Sequence, residues 1–248
     1  MNRSKPWQMT AITLWLVSGS VMSDMVDISH LQPWEPCAFC HGVEGASANP
    51  RFPHLAGQKS VYLERQLRAF QQGLRSNDGG VMQSMAEALT PQDISLLADY
   101  FATQKASVEV TAGTPERSTD WARAVFLNGL PERQLPACGS CHGDNGLPQA
   151  PRLTGQHEDY LVKQLDEFSA GVRVDLISGA NDVSDGAGKD DTEAGPADSN
   201  GTNADPIIKP AVSMNEIARR LTAQERRWIA VALANWDQSV GNTSHFLQ

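Results

Sequence analysis

Cys37-Ala38-Phe39-Cys40-His41 and Cys138-Gly139-Ser140-Cys141-His142 use all four cysteines of the chain. Cys-x-x-Cys-His is the attachment signature of c-type haem. Two thiols on one helical turn can each add to a vinyl group of one porphyrin, and the next residue, histidine, then reaches the iron from the proximal side. Two covalent haem c groups are therefore expected, held by Cys37 and Cys40 and by Cys138 and Cys141, with His41 and His142 as proximal ligands. A thioredoxin-like dithiol would need a single Cys-x-x-Cys between a strand and a helix. A zinc site built from both knuckles would join residues 98 positions apart, Cys40 and Cys138, and leave the trailing histidines without a reason.

The start of the chain points to export. Arg3 and Lys5 precede an uncharged, largely apolar run from Met9 to Val21, and Val21-Met22-Ser23 suits a signal peptidase. Residues 1–23 are expected to be a signal peptide cleaved after Ser23; an uncleaved anchor is the alternative, weakened by Thr10, Thr13, Ser18 and Ser20. Covalent haem attachment also belongs to the outer face of a membrane. The expected location is the periplasm, with a mature chain that is not integral to the membrane.

An internal repeat sets the architecture. Pro53-His54-Leu55-Ala56-Gly57-Gln58 is matched by Pro151-Arg152-Leu153-Thr154-Gly155-Gln156, and Tyr62, Leu63, Gln66, Leu67, Phe70, Gly73 and Arg75 are matched at the same offset by Tyr160, Leu161, Gln164, Leu165, Phe168, Gly171 and Arg173. The spacing predicts one amphipathic helix per half, stopped by a glycine. A further block aligns Met82 to Thr90 with Met214 to Thr222. Thr90 with Asp93, and Thr222 with Glu225, then read as N-caps of the last helix in each half, with Pro91 at the first helical position. The expected fold is all-α: two tandem domains, residues 24–104 and 118–240, joined by a linker over 105–117. Aromatic residues make up only 6% of the chain, and a buried haem in each half would supply the missing apolar volume.

The same alignment selects the distal ligands. Beyond residue 23 the methionines are Met25, Met82, Met85 and Met214. An axial methionine must come from downstream of the haem motif to reach the opposite porphyrin face, and Met214 is the only one in the second half. The repeat sets Met82 opposite Met214 and Met85 opposite Ile217. Met82 and Met214 are the expected iron ligands and Met85 a packing residue. His30, His54, His157 and His245 do not recur at matching positions and are expected on the surface or in loops.

On the two Cys-x-x-Cys-His motifs, the Leu-x-Gly-Gln and Tyr-Leu-x-x-Gln-Leu blocks and the two methionine blocks, the chain resembles the dihaem cytochrome c4 family. The resemblance implies two helical cytochrome c domains whose haems exchange electrons across the domain interface. It implies His41 and Met82 on the first iron, and His142 and Met214 on the second. It also implies that the Pro53 and Pro151 carbonyls accept from the proximal imidazoles. Arg75 and Arg173 are candidates to face haem propionates, or are solvated surface arginines.

Two features depart from that pattern. The second half opens with an amphipathic helix around Trp121 to Phe126, whereas the stretch before the first motif, broken by Pro33 and Pro36, is too short for one. The first haem is then more exposed, or is covered by Trp34 and the other domain. The second feature is an insertion at 174–206, which carries eight acids and one base within a chain of net charge −9. Its Gly, Ser, Asn and Asp content reads as a solvated disordered loop, and the regular spacing of a calcium loop is missing. An acidic chain of this kind is a poor nucleic-acid binder. No catalytic residue is expected. The function expected is a periplasmic dihaem cytochrome carrying single electrons between membrane or periplasmic redox proteins, towards a terminal oxidase or other acceptor. The alternatives are an electron-transfer subunit of a periplasmic dehydrogenase and, less well matched, a dihaem peroxidase, which needs an open sixth position on one iron.

Overall fold

The helices of the computed structural model follow the repeat; the structure describes residues 32–106, 116–173, 175–176 and 212–236. The first half holds α1 (Glu35–His41), α2 (Ser60–Gln71), α3 (Val81–Glu87) and α4 (Pro91–Thr103). The second holds α5 (Glu116–Asn128), α6 (Gly139–His142), α7 (Glu158–Ala170), α8 (Met214–Arg219) and α9 (Ala223–Ala234), with a 3-10 turn at Pro131–Arg133. Among the described residues the only extended pairing is a single antiparallel bridge between Leu130 and Leu135. The all-α expectation holds. The proposed signal segment, linker residues 107–115 and most of the acidic insertion lie outside the described residues.

Local chemistry accounts for the element ends. Leu63 and Leu161, at equivalent positions of α2 and α7, are buried, as the 3.6-residue period requires. The α7 helix stops at Gly171, whose φ of 74° is left-handed, a conformation that costs glycine little. Both predicted capping boxes form. Thr90 Oγ1 accepts from Asp93 N–H while the Asp93 carboxylate accepts from Thr90 N–H, and Thr222 and Glu225 do the same. Arg133 adds an ion pair to Glu225 at 2.6 Å, and with the cap it holds that carboxyl down to about 2. Thr222→Ala is expected to cost about 1 kcal/mol, read as a lower denaturant midpoint for the second half with an unchanged slope.

In each half the long repeat helix packs on the two that follow: α2 on α3 and α4, and α7 on α8 and α9. The second half has an additional layer, because α5 lies against α9 and α6. Its cluster joins Ala122, Val125 and Phe126 of α5 to Ile229, Ala230, Ala232 and Leu233 of α9, with Leu161 and Leu221. The first half has a smaller cluster of Leu63, Ala98 and Phe101. There Trp34 takes the place of a helix, stacking on Tyr100 of α4 with ring centroids 4.2 Å apart and planes 12° from parallel. A flat indole on a flat phenol buries apolar area without requiring a helix that Pro33 and Pro36 would break.

Candidate functional site

The expected proximal side of each half is the Cys-x-x-Cys-His turn. Cys37, Cys40 and His41 lie on α1; Cys138 precedes α6, which carries Cys141 and His142. All four thiols are free and partly buried. Burial pushes the Cys138 thiol up to about 11 and also raises Cys37. A redox dithiol is favoured by the opposite shift, towards thiolate.

His41 and His142, the expected iron-binding histidines, are buried, and each makes the hydrogen bond that the resemblance implies. His41 Nδ1 lies 2.8 Å from the Pro53 carbonyl oxygen, and His142 Nδ1 lies 2.8 Å from that of Pro151. A carbonyl oxygen only accepts, so Nδ1 carries the proton and Nε2 keeps its lone pair. Burial lowers His142 to about 4 and lowers His41 in the same direction, against the carbonyl bond that opposes it. The rings are neutral at neutral pH, the form that can bind a metal.

The expected distal residues sit at the starts of the short helices α3 and α8. Met82 is the second residue of α3 and Met214 the first of α8; both are half-buried. Each has its backbone N–H held by a carboxylate: Met82 N–H donates to Asp78 Oδ2 at 2.5 Å, and Met214 N–H to Asp175 Oδ2 at 2.6 Å. Helix N-termini leave these donors unpaired and favour negative charge. The two aspartates escaped the sequence reading because they stand at unequal distances from their methionines; the signal available was an aspartate within three residues of Arg75 and of Arg173. Asn215 fastens the same corner, donating to the carbonyls of Phe168 at 2.9 Å and Arg173 at 2.8 Å.

Two expectations need correction. Asp175, grouped with the solvated acids of the 174–206 insertion, is buried, as is Leu176; the packed structure continues through both because the Met214 amide and Arg65, which donates to the Leu176 carbonyl at 2.6 Å, need them. Met85 is not core: it is 44% exposed, since α3 offers only one face to α2. His54 lies in a loop, one of the two placements expected of it, and that loop is packed inside. The His54 side chain is buried and stacks on His157 of the other half with centroids 3.9 Å apart. Burial and then the neighbouring His157 ring hold its pKa down to about 4, so the stack is formed with a neutral His54. His30 and His245 lie outside the described residues.

Arg75 and Arg173 are both buried, which removes the solvated alternative. They lie at the junction of the halves and reach across it reciprocally. Arg75 Nη2 donates to Tyr160 OH at 3.0 Å, and Arg173 Nη2 to Tyr62 OH at 3.2 Å. Each guanidinium also covers a phenylalanine of its own half, Phe70 at 4.5 Å and Phe168 at 4.6 Å. Their remaining hydrogen bonds go to Gln66, Asn77 and Gln164. These partners satisfy the donors but are all neutral. Two buried cations held this way suit anionic groups brought to the junction, and a haem carries two propionates. Free paired thiols, neutral imidazoles with Nε2 available and buried guanidiniums together fit one covalent haem per half.

Comparison with known proteins agrees. The cytochrome c family model matches residues 34–105 and 132–229, one match around each Cys-x-x-Cys-His motif. Cytochrome c4 of Thiocapsa roseopersicina is 38% identical over 148 residues, covering 58% of this chain and 74% of that protein. A thiosulfate dehydrogenase electron acceptor of Stutzerimonas stutzeri is 34% identical over 141 residues, covering 55% of this chain and 64% of that protein. The structure of Acidithiobacillus ferrooxidans cytochrome c4 aligns with a TM-score of 0.59 at 30% identity, covering 81% of this chain and 98% of that one. No described helix is long and apolar enough to cross a membrane. Because both family matches contain a complete attachment motif, and because the likeness to cytochrome c4 runs through both halves, the chain belongs to the dihaem cytochrome c4 family, electron-transfer proteins with two covalent haem c groups.

Proposed function

We propose that this protein is a periplasmic electron carrier in which His41 and Met82 bind one iron and His142 and Met214 the other, with Cys37 and Cys40, and Cys138 and Cys141, as the thioether attachments. Each haem, when bound, supplies a one-electron Fe(III)/Fe(II) couple. The protein's part would be to position these ligands, exclude water and offer the buried guanidiniums of Arg75 and Arg173 to the haem's anionic groups. The single observation carrying this reading is the duplicated 2.8 Å bond from a buried histidine Nδ1 to a proline carbonyl, which presents Nε2 in the correct tautomer in both halves. We place the domains at 24–104 and 118–240, the linker at 105–117, and signal cleavage after Ser23.

The likeness to a thiosulfate dehydrogenase electron acceptor favours a second reading, in which the donor is a periplasmic dehydrogenase to which this protein docks. Copurification of a dehydrogenase polypeptide would select it over a free carrier. A potentiometric titration of the exported holoprotein, followed optically, tests the ligand set. Two one-electron steps, each accompanied by the weak near-infrared sulfur-to-iron band in the oxidised form, are the expected result. A high-spin component, or a half without that band, would refute methionine ligation at that iron.

A further inference from the structure

Gln58 and Gln156 occupy the same place in the repeat, and both are buried, yet each spends its side chain on the other half. Gln156 Oε1 accepts from His54 N–H at 2.8 Å, and its Nε2 donates to the His54 carbonyl at 2.9 Å. Gln58 Oε1 accepts from Arg152 N–H at 2.7 Å, and its Nε2 donates to the Arg152 carbonyl at 3.0 Å. Each Oε1 also accepts from the following backbone N–H, that of Lys59 and of His157, at 3.1 Å in both halves. Two backbone donors on one oxygen leave no choice in how either amide is oriented.

The residues so clamped directly follow the prolines that serve the proximal histidines. The amide joining Pro53 to His54 therefore makes two hydrogen bonds in series. Its carbonyl accepts from His41 Nδ1, and its N–H donates to Gln156. The amide joining Pro151 to Arg152 likewise links His142 to Gln58. Engaging an amide N–H polarises the unit and makes its oxygen a better acceptor. A better acceptor draws the imidazole proton further, so that the ring donates more strongly to the iron and favours the oxidised state.

We propose that Gln58 and Gln156 are positioning residues that act across the halves: Gln156 of the second half strengthens the hydrogen bond on His41 of the first, Gln58 of the first strengthens that on His142 of the second, and each thereby lowers the reduction potential of the haem opposite. The inference rests on His41 and His142 being iron ligands. It makes the junction a means by which separation or distortion of one half is felt as a potential change in the other, with no charge moved.

The test is a crossed one. Gln156→Met and Gln58→Met keep the side-chain length and remove the amide. Haem-resolved redox titration of each full-length holoprotein is followed by NMR of the hyperfine-shifted haem methyl groups, assigned through contacts to each attachment motif. Gln156→Met is expected to raise the reduced-to-oxidised ratio of the first haem by about threefold or more at a fixed applied potential, with the second haem changed much less; Gln58→Met mirrors it. In the reduced state the His41 Nδ1–H resonance moves upfield only in Gln156→Met, and that of His142 only in Gln58→Met. Equal shifts of both haems, or a larger shift of the variant's own haem, would reduce the glutamines to packing residues. If neither variant matures, the unaltered holoprotein decides: the His54 and Arg152 amide protons should resist exchange as strongly as helix amides, and exchange at loop rates overturns the clamp. Loss of histidine and methionine ligation signatures in the unaltered protein refutes the ligand reading instead, which separates the two failures.

Discussion

Met82→Ala is expected to remove methionine ligation from one haem and leave the other intact, so that the near-infrared sulfur-to-iron band falls to about half its intensity and the potential of the affected haem drops, methionine being the ligand that raises it. Met85→Ala is expected to leave the band and both potentials as they were. The contrast has a structural basis. Met82 stands half-buried in the first turn of α3, with its backbone amide held by Asp78 at 2.5 Å, and its repeat partner Met214 is held the same way by Asp175. Met85 has no such anchor and is 44% exposed, where truncation costs within about 0.5 kcal/mol. Loss of the band in Met85→Ala with Met82→Ala unaffected would reverse the assignment.

Gly42→Ala is expected to destabilise the first half by roughly 3 kcal/mol and to reduce haem content there while the second half matures normally. Gly42 follows His41 directly and has φ 81° and ψ 153°, a region open essentially to glycine alone. A Cβ at this position would also stand 2.3 Å from the Ala46 carbonyl oxygen, a backbone atom of the turn leading to Pro53. Relief of that contact would displace either the end of α1 or the loop whose carbonyl receives His41 Nδ1. Haem stoichiometry by mass spectrometry and thermal unfolding check the effect. A variant with two haems and an unchanged melting profile would show that the turn can relax, and that the proximal geometry does not depend on it.

Much of the protein follows from local pattern. The Cys-x-x-Cys-His spacing, the helical period of Tyr62, Leu63, Gln66 and Phe70 with its copy ninety-eight residues on, and the Thr-x-x-acid caps are all interactions within a few turns of chain, where sequence distance and spatial distance agree. Hence the all-α class, the two halves and the capping boxes were legible in advance, and so were the two attachment motifs that the cytochrome c family model later matched. The partners of the junction residues were not legible, because the repeat states that Arg75 corresponds to Arg173 and Gln58 to Gln156 but not which group each will meet. Tertiary packing decided that each reaches across to the other half: Arg75 to Tyr160, Arg173 to Tyr62, Gln156 to His54 and Gln58 to Arg152. The same packing buried His54 against His157, drew Asp175 out of an acidic, loop-like sequence onto the Met214 amide, and left Met85 outside the core. The physical reason is common to all of these. A helix's own periodicity determines which face is apolar, whereas pairing of buried polar groups depends on what the apposed surface offers, since an unpaired buried donor or charge costs more than any local preference supplies.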